Sequence, residues 1–246
     1  MKLLPKSALI LMAFVSILIL GPVTAAYAND ADIKELKKAL ATRMPTAAGA
    51  AIKATPIDGL FEVMAGNQIM YMSKDARYIF DGDMYDMTTR TNITEDARGG
   101  IRLDALNGLG EKNMLVYNPK GEIKHTITVF TDIYCPYCRK LHHEMADYQK
   151  NGVKVRYIFV PFKGQKSVET SVSVWCAKDK TKAMDMAKNG KELEVKNCDN
   201  PISKHQALAA ELGIRGTPAI MLESGKMLPG YVPSQKVIEQ LNSSIK

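Results

Sequence analysis

Two cysteines, separated by two residues, stand where a strand pattern changes into a helix pattern. Cys135 and Cys138 follow an alternating, β-branched run from His125 to Thr131. Pro136 suits the first turn of a helix, because that position needs no backbone N–H and its φ is already helical. The pattern therefore predicts that Cys135 lies at the N-terminal end of a helix. Free backbone N–H groups and the helix dipole stabilise a thiolate there.

Such a thiolate attacks disulfides, and Cys138, one turn into the helix, is placed to attack a mixed disulfide formed on Cys135. Two other interpretations are half of a zinc site and an inert structural disulfide. Zinc requires four ligands, and Cys176 and Cys198 are not spaced as a second ligand pair. We interpret the motif as a redox-active dithiol that needs no metal and no cofactor.

The first 28 residues have the pattern of a secretory signal peptide. Lys2 and Lys6 flank the start of an apolar run over residues 8–20, and Ala26-Tyr27-Ala28 offers the small residues that a signal peptidase reads. The apolar run is short for a membrane span, although a retained anchor is the alternative. The pattern predicts cleavage after Ala28 and export of a soluble mature chain.

Export bears on the pairing of the cysteines. Four cysteines in an oxidising compartment are expected to pair, and two pairs are the natural partition. A bond between Cys176 and Cys198 would close a loop of about 22 residues, worth on the order of 3 kcal/mol on the chain-entropy model. The net charge of +7 is spread over dispersed lysines, which indicates a solvated surface and not a nucleic-acid interface.

Residues 29–90 are predicted to form a small α+β unit. Ile33, Leu36 and Leu40 share one face of a helix over residues 30–44, residues 47–54 show no clear element, and residues 60–87 read as short strands with turns. Asp81-Gly82 is a hairpin signal. A unit of this size is marginal alone, and an open sheet edge invites a partner. We therefore expect self-association through that edge; packing against the downstream domain is the alternative.

Residues 91–112 are predicted to connect two domains through a helix. Thr94 is a candidate N-cap, and leucines recur on one side. Gly99-Gly100 interrupts this pattern at a cost of about 1 kcal/mol for each glycine relative to alanine. We expect a helix that is weak at this pair or that begins only after it. The pair is interpreted either as a hinge between domains or as a harmless kink.

Residues 113–246 show the pattern of an α/β domain with a helical insertion. A strand over 114–117 precedes the central strand, a helix over 136–150 and a second strand over 153–160, and this β-α-β order implies parallel strands. Helices over 167–175 and 181–188 form the insertion. A helix that begins near Pro201 and ends at Gly213, an antiparallel hairpin over 219–228 and a helix from Ser234 complete the domain.

With these elements in order, the chain resembles the thioredoxin-fold proteins. It is most similar to the dimeric periplasmic disulfide isomerases of the DsbC/DsbG family, and closer to the DsbC side. The segments that carry the resemblance are Phe130-Thr131-Asp132, Lys140-Leu141-His142, Trp175-Cys176-Ala177-Lys178-Asp179-Lys180, Cys198, Gly216-Thr217-Pro218-Ala219 and Pro229-Gly230-Tyr231. Pro136-Tyr137 is closer to the DsbG side, whereas the residues flanking it are closer to DsbC.

The resemblance implies a role for each matching residue. Cys135 is the expected nucleophile and Cys138 the resolving thiol, while Cys176 and Cys198 form a structural disulfide. Thr217-Pro218 is expected to be a cis peptide beside the thiols. The backbone of Thr217, together with Pro218 and Tyr137, is expected to bind an extended substrate in the manner of strand addition.

The resemblance also implies an architecture and an activity. A dimerisation domain over residues 29–90 and a linker helix over 91–112 would carry the thioredoxin-fold domain over 113–246. The protein would isomerise or reduce incorrect disulfides of exported proteins as a homodimer. A membrane thiol reductase of the DsbD type would return electrons to it. The alternatives are a sulfenic-acid reductase, a net disulfide oxidase, and a holdase chaperone in which the thiols are incidental.

Two further features concern protons near the site. Val129, six residues before Cys135, stands where thioredoxin has a buried acid, so the group that would take the proton of Cys138 is not identified. His142 and His143 follow the motif closely. We interpret both as solvated surface residues, and their adjacent helical positions argue against a shared metal.

Overall fold

The computed structural model describes residues 30–243, so the predicted signal segment over residues 1–28 lies outside the described residues. The helices are α1 (Asp30–Arg43), α2 (Ile93–Leu109), α3 (Pro136–His143), α4 (Met145–Lys150), α5 (Gln165–Trp175), α6 (Lys180–Lys188), α7 (Ile202–Glu211) and α8 (Ser234–Ser243). The strands are β1 (Ala51–Ala54), β2 (Leu60–Ala65), β3 (Gln68–Ser73), β4 (Ile79–Phe80), β5 (Tyr85–Asp86), β6 (Thr91–Asn92), β7 (Leu115–Tyr117), β8 (His125–Thr131), β9 (Val153–Phe159), β10 (Ala219–Met221) and β11 (Met227–Pro229). Over this part of the chain, none of the helices combines the length and the apolar composition needed to cross a membrane.

The amino-terminal unit packs α1 against an antiparallel sheet of order β1-β2-β3-β4. Leu36 and Leu40 of the helix meet Phe61, Val63 and Met72 of the sheet in one buried cluster. Strand β1 lies in the segment for which the sequence predicts no element. Its small residues give a weak strand pattern, and its conformation comes instead from backbone pairing with β2.

The turn at Asp81-Gly82 does not join two paired strands, so the hairpin expected there is wrong. Strand β4 pairs with β3, whereas β5 pairs with β6. The segment after Asp81 instead contacts the start of α2. Asp83 accepts hydrogen bonds from Asn92 and from the Arg98 guanidinium, both at 2.7 Å.

Helix α2 runs without interruption through Gly99-Gly100, which corrects the expectation that the helix begins only after this pair. Its N-cap is Asn92, whose side-chain oxygen accepts from the Glu95 N–H at 2.9 Å. Thr94, the expected cap, is buried within the first turn. Its hydroxyl pairs with that of Tyr71 at 2.5 Å and accepts from the Met84 N–H at 2.7 Å. These bonds attach the start of the helix to the amino-terminal sheet.

Gly99 allows α2 to lie directly on the turn between β10 and β11. A Cβ on Gly99 would be 2.7 Å from the backbone oxygen of Ser224, a distance that real side chains do not adopt. Arg102 extends the contact by donating to the Gly225 carbonyl at 3.1 Å, and its guanidinium also pairs with Glu95 at 2.6 Å. The glycine that reads as a helix interruption is therefore a site of close packing between the two parts of the chain.

The carboxy-terminal part contains a five-stranded sheet of order β11-β10-β8-β9-β7. Strands β8 and β9 are parallel, and β10 runs antiparallel to β8. Central strand β8 is buried along most of its length because helices cover both faces of the sheet. This order places the end of β8, and the cysteines that follow it, next to the start of β10.

The helix predicted over residues 136–150 is divided into α3 and α4 at Glu144. The Glu144 carboxylate accepts the Ser234 N–H at 2.7 Å and makes a short hydrogen bond with the Tyr231 hydroxyl. Both partners lie about ninety residues away in sequence, so the helix pattern contains no sign of the break.

His142 is buried, so its assignment to the solvated surface is wrong; His143 is exposed. The ring of His142 lies between Tyr157 and Asp185, with contacts of 3.1 and 3.0 Å. Burial lowers the pKa of His142 to about 4, with nearby Lys188 acting in the same direction. His142 is therefore a neutral core residue at neutral pH.

The contact at Gly99 predicts opposite effects for two neighbouring substitutions. Gly99→Ala should lower the free energy of unfolding by about 1–3 kcal/mol, because the new methyl group meets backbone atoms that cannot move away. Gly100→Ala should raise it by roughly 0.4–1 kcal/mol, because among the described residues no heavy atom beyond the adjoining helix backbone lies within 4 Å of a Cβ there and alanine favours the helix. Chemical unfolding of both variants measures the difference. Equal effects would contradict the packing role of Gly99.

Candidate active site

Asp132 holds the loop that carries the two cysteines. Its carboxylate is buried and accepts two backbone N–H groups, from Tyr134 at 2.7 Å and from Lys163 at 2.9 Å. The Asp132 carbonyl accepts the Cys135 N–H at 3.3 Å. These bonds turn the chain sharply at the end of β8, so that α3 begins directly after Cys135.

Cys135 is the N-cap residue of α3, and Pro136 occupies the first turn. Its Sγ donates to the Thr217 carbonyl at 3.1 Å. Burial acts to raise the pKa of Cys135, but hydrogen bonds from the backbone N–H and thiol of Cys138, from the Thr217 side chain and from the Tyr137 N–H outweigh burial. The net result is a pKa below the ordinary cysteine value, which favours a thiolate.

Cys138 lies one turn deeper, and only 1% of its surface is exposed. Burial raises its pKa, and this effect exceeds the opposing effects of Lys188, of the Asp132 N–H and of the Thr131 hydroxyl. Both thiols are free. The site therefore contains one thiol that favours ionisation and a second that remains protonated until a base takes its proton.

Thr217 and Pro218, joined by a cis peptide bond, lie beside the cysteines. They line a cavity of about 390 Å³ whose other walls include Leu212, Met227 and, from helix α2, Arg102. The cavity therefore extends from Thr217 and Pro218 toward helix α2.

Tyr137, the third residue expected to contact substrate, points into solvent with 62% of its surface exposed. Its ring stacks on that of Tyr231 at 6.4 Å, and the Lys140 amine lies 4.5 Å from the Tyr231 centroid. Tyr137 and Lys140 are exposed and Tyr231 is half-buried, so these side chains form an aromatic and cationic surface beside the first turns of α3.

Cys176 and Cys198 are joined by a disulfide bond. Cys176 follows the last residue of α5, and Cys198 lies in the segment before α7. The bond therefore ties the helical insertion together and is separate from the dithiol. Within residues 30–243, no group of three or more histidine, cysteine or acidic side chains has the arrangement of a metal site.

Sequence reasoning missed one ionisable group at the site, the amine of Lys188. This side chain comes from the C-terminal end of α6 and reaches the loop after β8, where it is 1% exposed. The surrounding sequence, Ala187-Lys188-Asn189, has the pattern of an ordinary helix end. It therefore gave no sign that this amine is buried.

Comparisons with known proteins agree with this geometry. Residues 113–245 match the thioredoxin-like domain family, and residues 24–95 match the family described as the disulfide bond isomerase protein N-terminal domain. The thiol:disulfide interchange protein DsbC of Escherichia coli K12 is 41% identical over 199 residues, covering 79% of this chain and 82% of that protein. DsbC of Dickeya dadantii is 35% identical and covers 97% and 96% of the two chains.

A solved structure shares the fold of just over half of the chain. A disulfide interchange protein from Neisseria gonorrhoeae superposes with a TM-score of 0.50 at 25% identity, covering 55% of this chain and 96% of that one. The fold class expected from the sequence is thereby confirmed. The chain belongs to the DsbC family of thiol:disulfide interchange proteins and is a thiol:disulfide oxidoreductase.

Proposed function

We propose that this protein isomerises or reduces incorrect disulfides in exported proteins, with Cys135 as nucleophile and Cys138 as resolving thiol. The observation that carries the proposal is that the pKa values of the two thiols are shifted in opposite directions. The pKa of Cys135 is lowered at the start of α3, whereas burial raises that of Cys138. Cys135 is therefore the cysteine of the pair that favours the thiolate needed for attack.

The cycle begins with the protein reduced. The Cys135 thiolate attacks one sulfur of a substrate disulfide, a mixed disulfide forms, and the second substrate sulfur leaves as a thiolate. That sulfur then attacks elsewhere in the substrate, which completes isomerisation. Alternatively, Cys138 attacks Cys135, which releases the substrate reduced and leaves the protein oxidised. A low pKa at Cys135 serves both outcomes, because the same sulfur must attack and later depart.

The substrate is proposed to lie along Thr217 and Pro218, with Tyr137 at the other side of the reactive sulfur. The Thr217 carbonyl is already 3.1 Å from Cys135 Sγ, so an extended chain that pairs with this backbone would bring its disulfide to that sulfur. The neighbouring cavity has few charged walls, which suits the apolar side chains of an incompletely folded protein.

The amino-terminal unit, residues 29–90, is proposed to join two copies of the chain. Strand β4 is one of the two edge strands of its sheet and leaves backbone groups unpaired there. Around that edge the exposed side chains are large and apolar, with Tyr78, Ile79 and Phe80 each about half exposed. Residues 91–112 would then link this unit to the catalytic domain over residues 113–246.

The place of action and the electron donor follow from the same proposal. The signal pattern over residues 1–28 supports export to the periplasm. A protein that acts by reduction must be returned to the dithiol state, and a membrane thiol reductase of the DsbD type is the proposed donor.

The pKa order predicts the pH dependence of alkylation. In Cys138→Ser, Cys135 should react with iodoacetamide with a midpoint below the value of about 8.5 for free cysteine. Cys138→Ala is the matched comparison, because it removes the side-chain donor to the Cys135 thiolate. Its midpoint should lie higher than that of Cys138→Ser. A midpoint at or above that of free cysteine in Cys138→Ser would contradict the role of Cys135.

Refolding of a scrambled multi-disulfide protein in glutathione buffer tests the direction of the reaction. The wild-type protein should speed recovery of native disulfides, Cys135→Ser should reduce the rate to that of buffer, and Cys138→Ser should retain part of the gain. That order is expected because reshuffling requires only the first attack. A wild-type protein that oxidises reduced chains without reshuffling them would indicate an oxidase. Activity independent of Cys135 would indicate a holdase.

The dimer proposal predicts that a charge on the sheet edge separates the copies. Phe80→Lys should reduce the mass in sedimentation experiments from that of two chains to that of one, because a buried lysine at the interface is strongly unfavourable. Ile123→Lys is the matched control, since Ile123 is similarly exposed but lies outside the amino-terminal unit. A Phe80→Lys protein with the wild-type mass would contradict association through β4.

A further inference from the structure

The proposed cycle requires a proton acceptor for Cys138. Its thiol is buried and has a raised pKa, so only a small fraction ionises unaided at neutral pH. Val129 is fully buried and apolar, and strand β8 therefore offers no carboxylate six residues before Cys135. The acceptor must come from another element.

The amine of Lys188 is buried within reach of that thiol. It donates to the Thr131 hydroxyl at 2.8 Å and to the Asp132 carbonyl at 2.9 Å. Both partners are neutral oxygens, so neither compensates a positive charge on the amine. An ammonium group in such surroundings is costly, and the neutral amine becomes accessible near physiological pH.

Thr131 connects the amine to the sulfur. Its hydroxyl accepts from Lys188 Nζ at 2.8 Å, and the same hydroxyl acts on Cys138, where it lowers the pKa of the thiol. A hydroxyl is both donor and acceptor, so it can take a proton from one side while passing its own to the other. The Thr131 hydroxyl is thus placed to connect the buried amine with the Cys138 thiol.

Several ionisable groups surround Lys188, and each affects its protonation. Helix α3 contributes Cys138, Arg139 and His142, and its N-cap is Cys135. The others are Asp132 from the loop after β8 and Tyr157 from β9. Burial lowers the pKa of Lys188 to about 8; Cys138, Asp132 and Cys135 oppose this effect, and Arg139 adds to it. At pH 7 roughly a tenth of such amines are neutral.

We propose that Lys188 accepts the proton of Cys138 through the Thr131 hydroxyl when the mixed disulfide is resolved. This inference rests on the proposed roles of Cys135 and Cys138. Cys138 passes its proton to the Thr131 oxygen, and the Thr131 proton moves to Lys188, which becomes an ammonium. The Cys138 thiolate then attacks Cys135 Sγ. The bond between the two cysteines forms, the bond to the substrate sulfur breaks, and the substrate leaves as a thiolate with that electron pair.

The products of this step balance without an external reagent. The substrate disulfide is reduced, the protein dithiol is oxidised, and the proton held on Lys188 returns to solvent or to the departing thiolate. The ammonium formed during the transfer also lies near the new thiolate and stabilises it by charge. Lys188 thus assists the resolving attack specifically.

A two-step reaction with the aromatic disulfide 5,5′-dithiobis(2-nitrobenzoate) separates the two attacks in the reduced, full-length chain. Attack by Cys135 releases the first coloured thiolate, and attack by Cys138 on the mixed disulfide releases the second. We expect Lys188→Met to slow the second release about tenfold or more at pH 7, because loss of the amine raises the pKa of Cys138. The first release should change less than twofold.

Two other variants complete the test. Thr131→Val has nearly the same shape as wild type but lacks the relay hydroxyl, so it should also slow the second release while Lys188 remains in place. Lys182→Met makes the same substitution at an exposed position of α6 and should behave as wild type in both steps.

The wild-type rate of the second release should rise with pH through an inflection near 8, and in Lys188→Met that inflection should move to higher pH.

The outcomes are separable. A second release in Lys188→Met that follows the wild-type pH profile would overturn the role of Lys188. If Lys188→Met does not fold, as judged by circular dichroism, Thr131→Val decides alone, and an unchanged profile there overturns the relay. A first release in the wild type no faster than that of free cysteine would contradict the proposed nucleophile instead, and the second release would still report on Lys188.

Discussion

The buried side chain of Asp132 is the constraint on which the geometry of the dithiol depends. Its two carboxylate oxygens accept N–H groups from Tyr134 and Lys163, which lie on either side of the active-site helix in sequence. Its backbone serves the site as well, since the carbonyl accepts from Cys135 and from Lys188. Charge-assisted bonds of this kind are strong and directional. The positions of both sulfurs and of the buried amine thus share one anchor.

That anchor explains how two chemically identical side chains behave differently. The turn brings Cys135 to the open start of a helix, where N–H donors meet its sulfur. One turn later Cys138 is covered by the sheet and by α6, and burial dominates its ionisation. The pKa values of Cys135 and Cys138 differ because the two thiols, three positions apart, lie in different surroundings, although the residue type is the same.

Local patterns predicted much of this arrangement. The strand from His125, the proline after Cys135 and the β-α-β order all depend on residues close in sequence, and the structure contains them at nearly the expected positions. The fold class followed from the order of these elements and from the family resemblance, and the comparisons confirm it.

Features decided by distant contacts were not predictable in this way. Glu144 interrupts a helix because its partners lie near residue 230, and Gly99 is a packing contact because Ser224 lies against it. His142 and Lys188 occur in polar-looking helix segments, yet both point into the core. Strand β1 has little pattern of its own and takes its conformation from pairing with β2. In each case the deciding atom belongs to another part of the chain.

The double attachment of helix α2 has a mechanical consequence. Arg98 and Thr94 attach its first half to the amino-terminal unit, while Gly99 and Arg102 press its middle against the turn after β10. A helix fixed on both sides has little freedom to bend between its two attachments. Because Arg102 also lines the cavity beside Thr217, a polypeptide in that cavity would contact the helix itself. The wall of that cavity and the amino-terminal sheet are thus connected through one continuous helix.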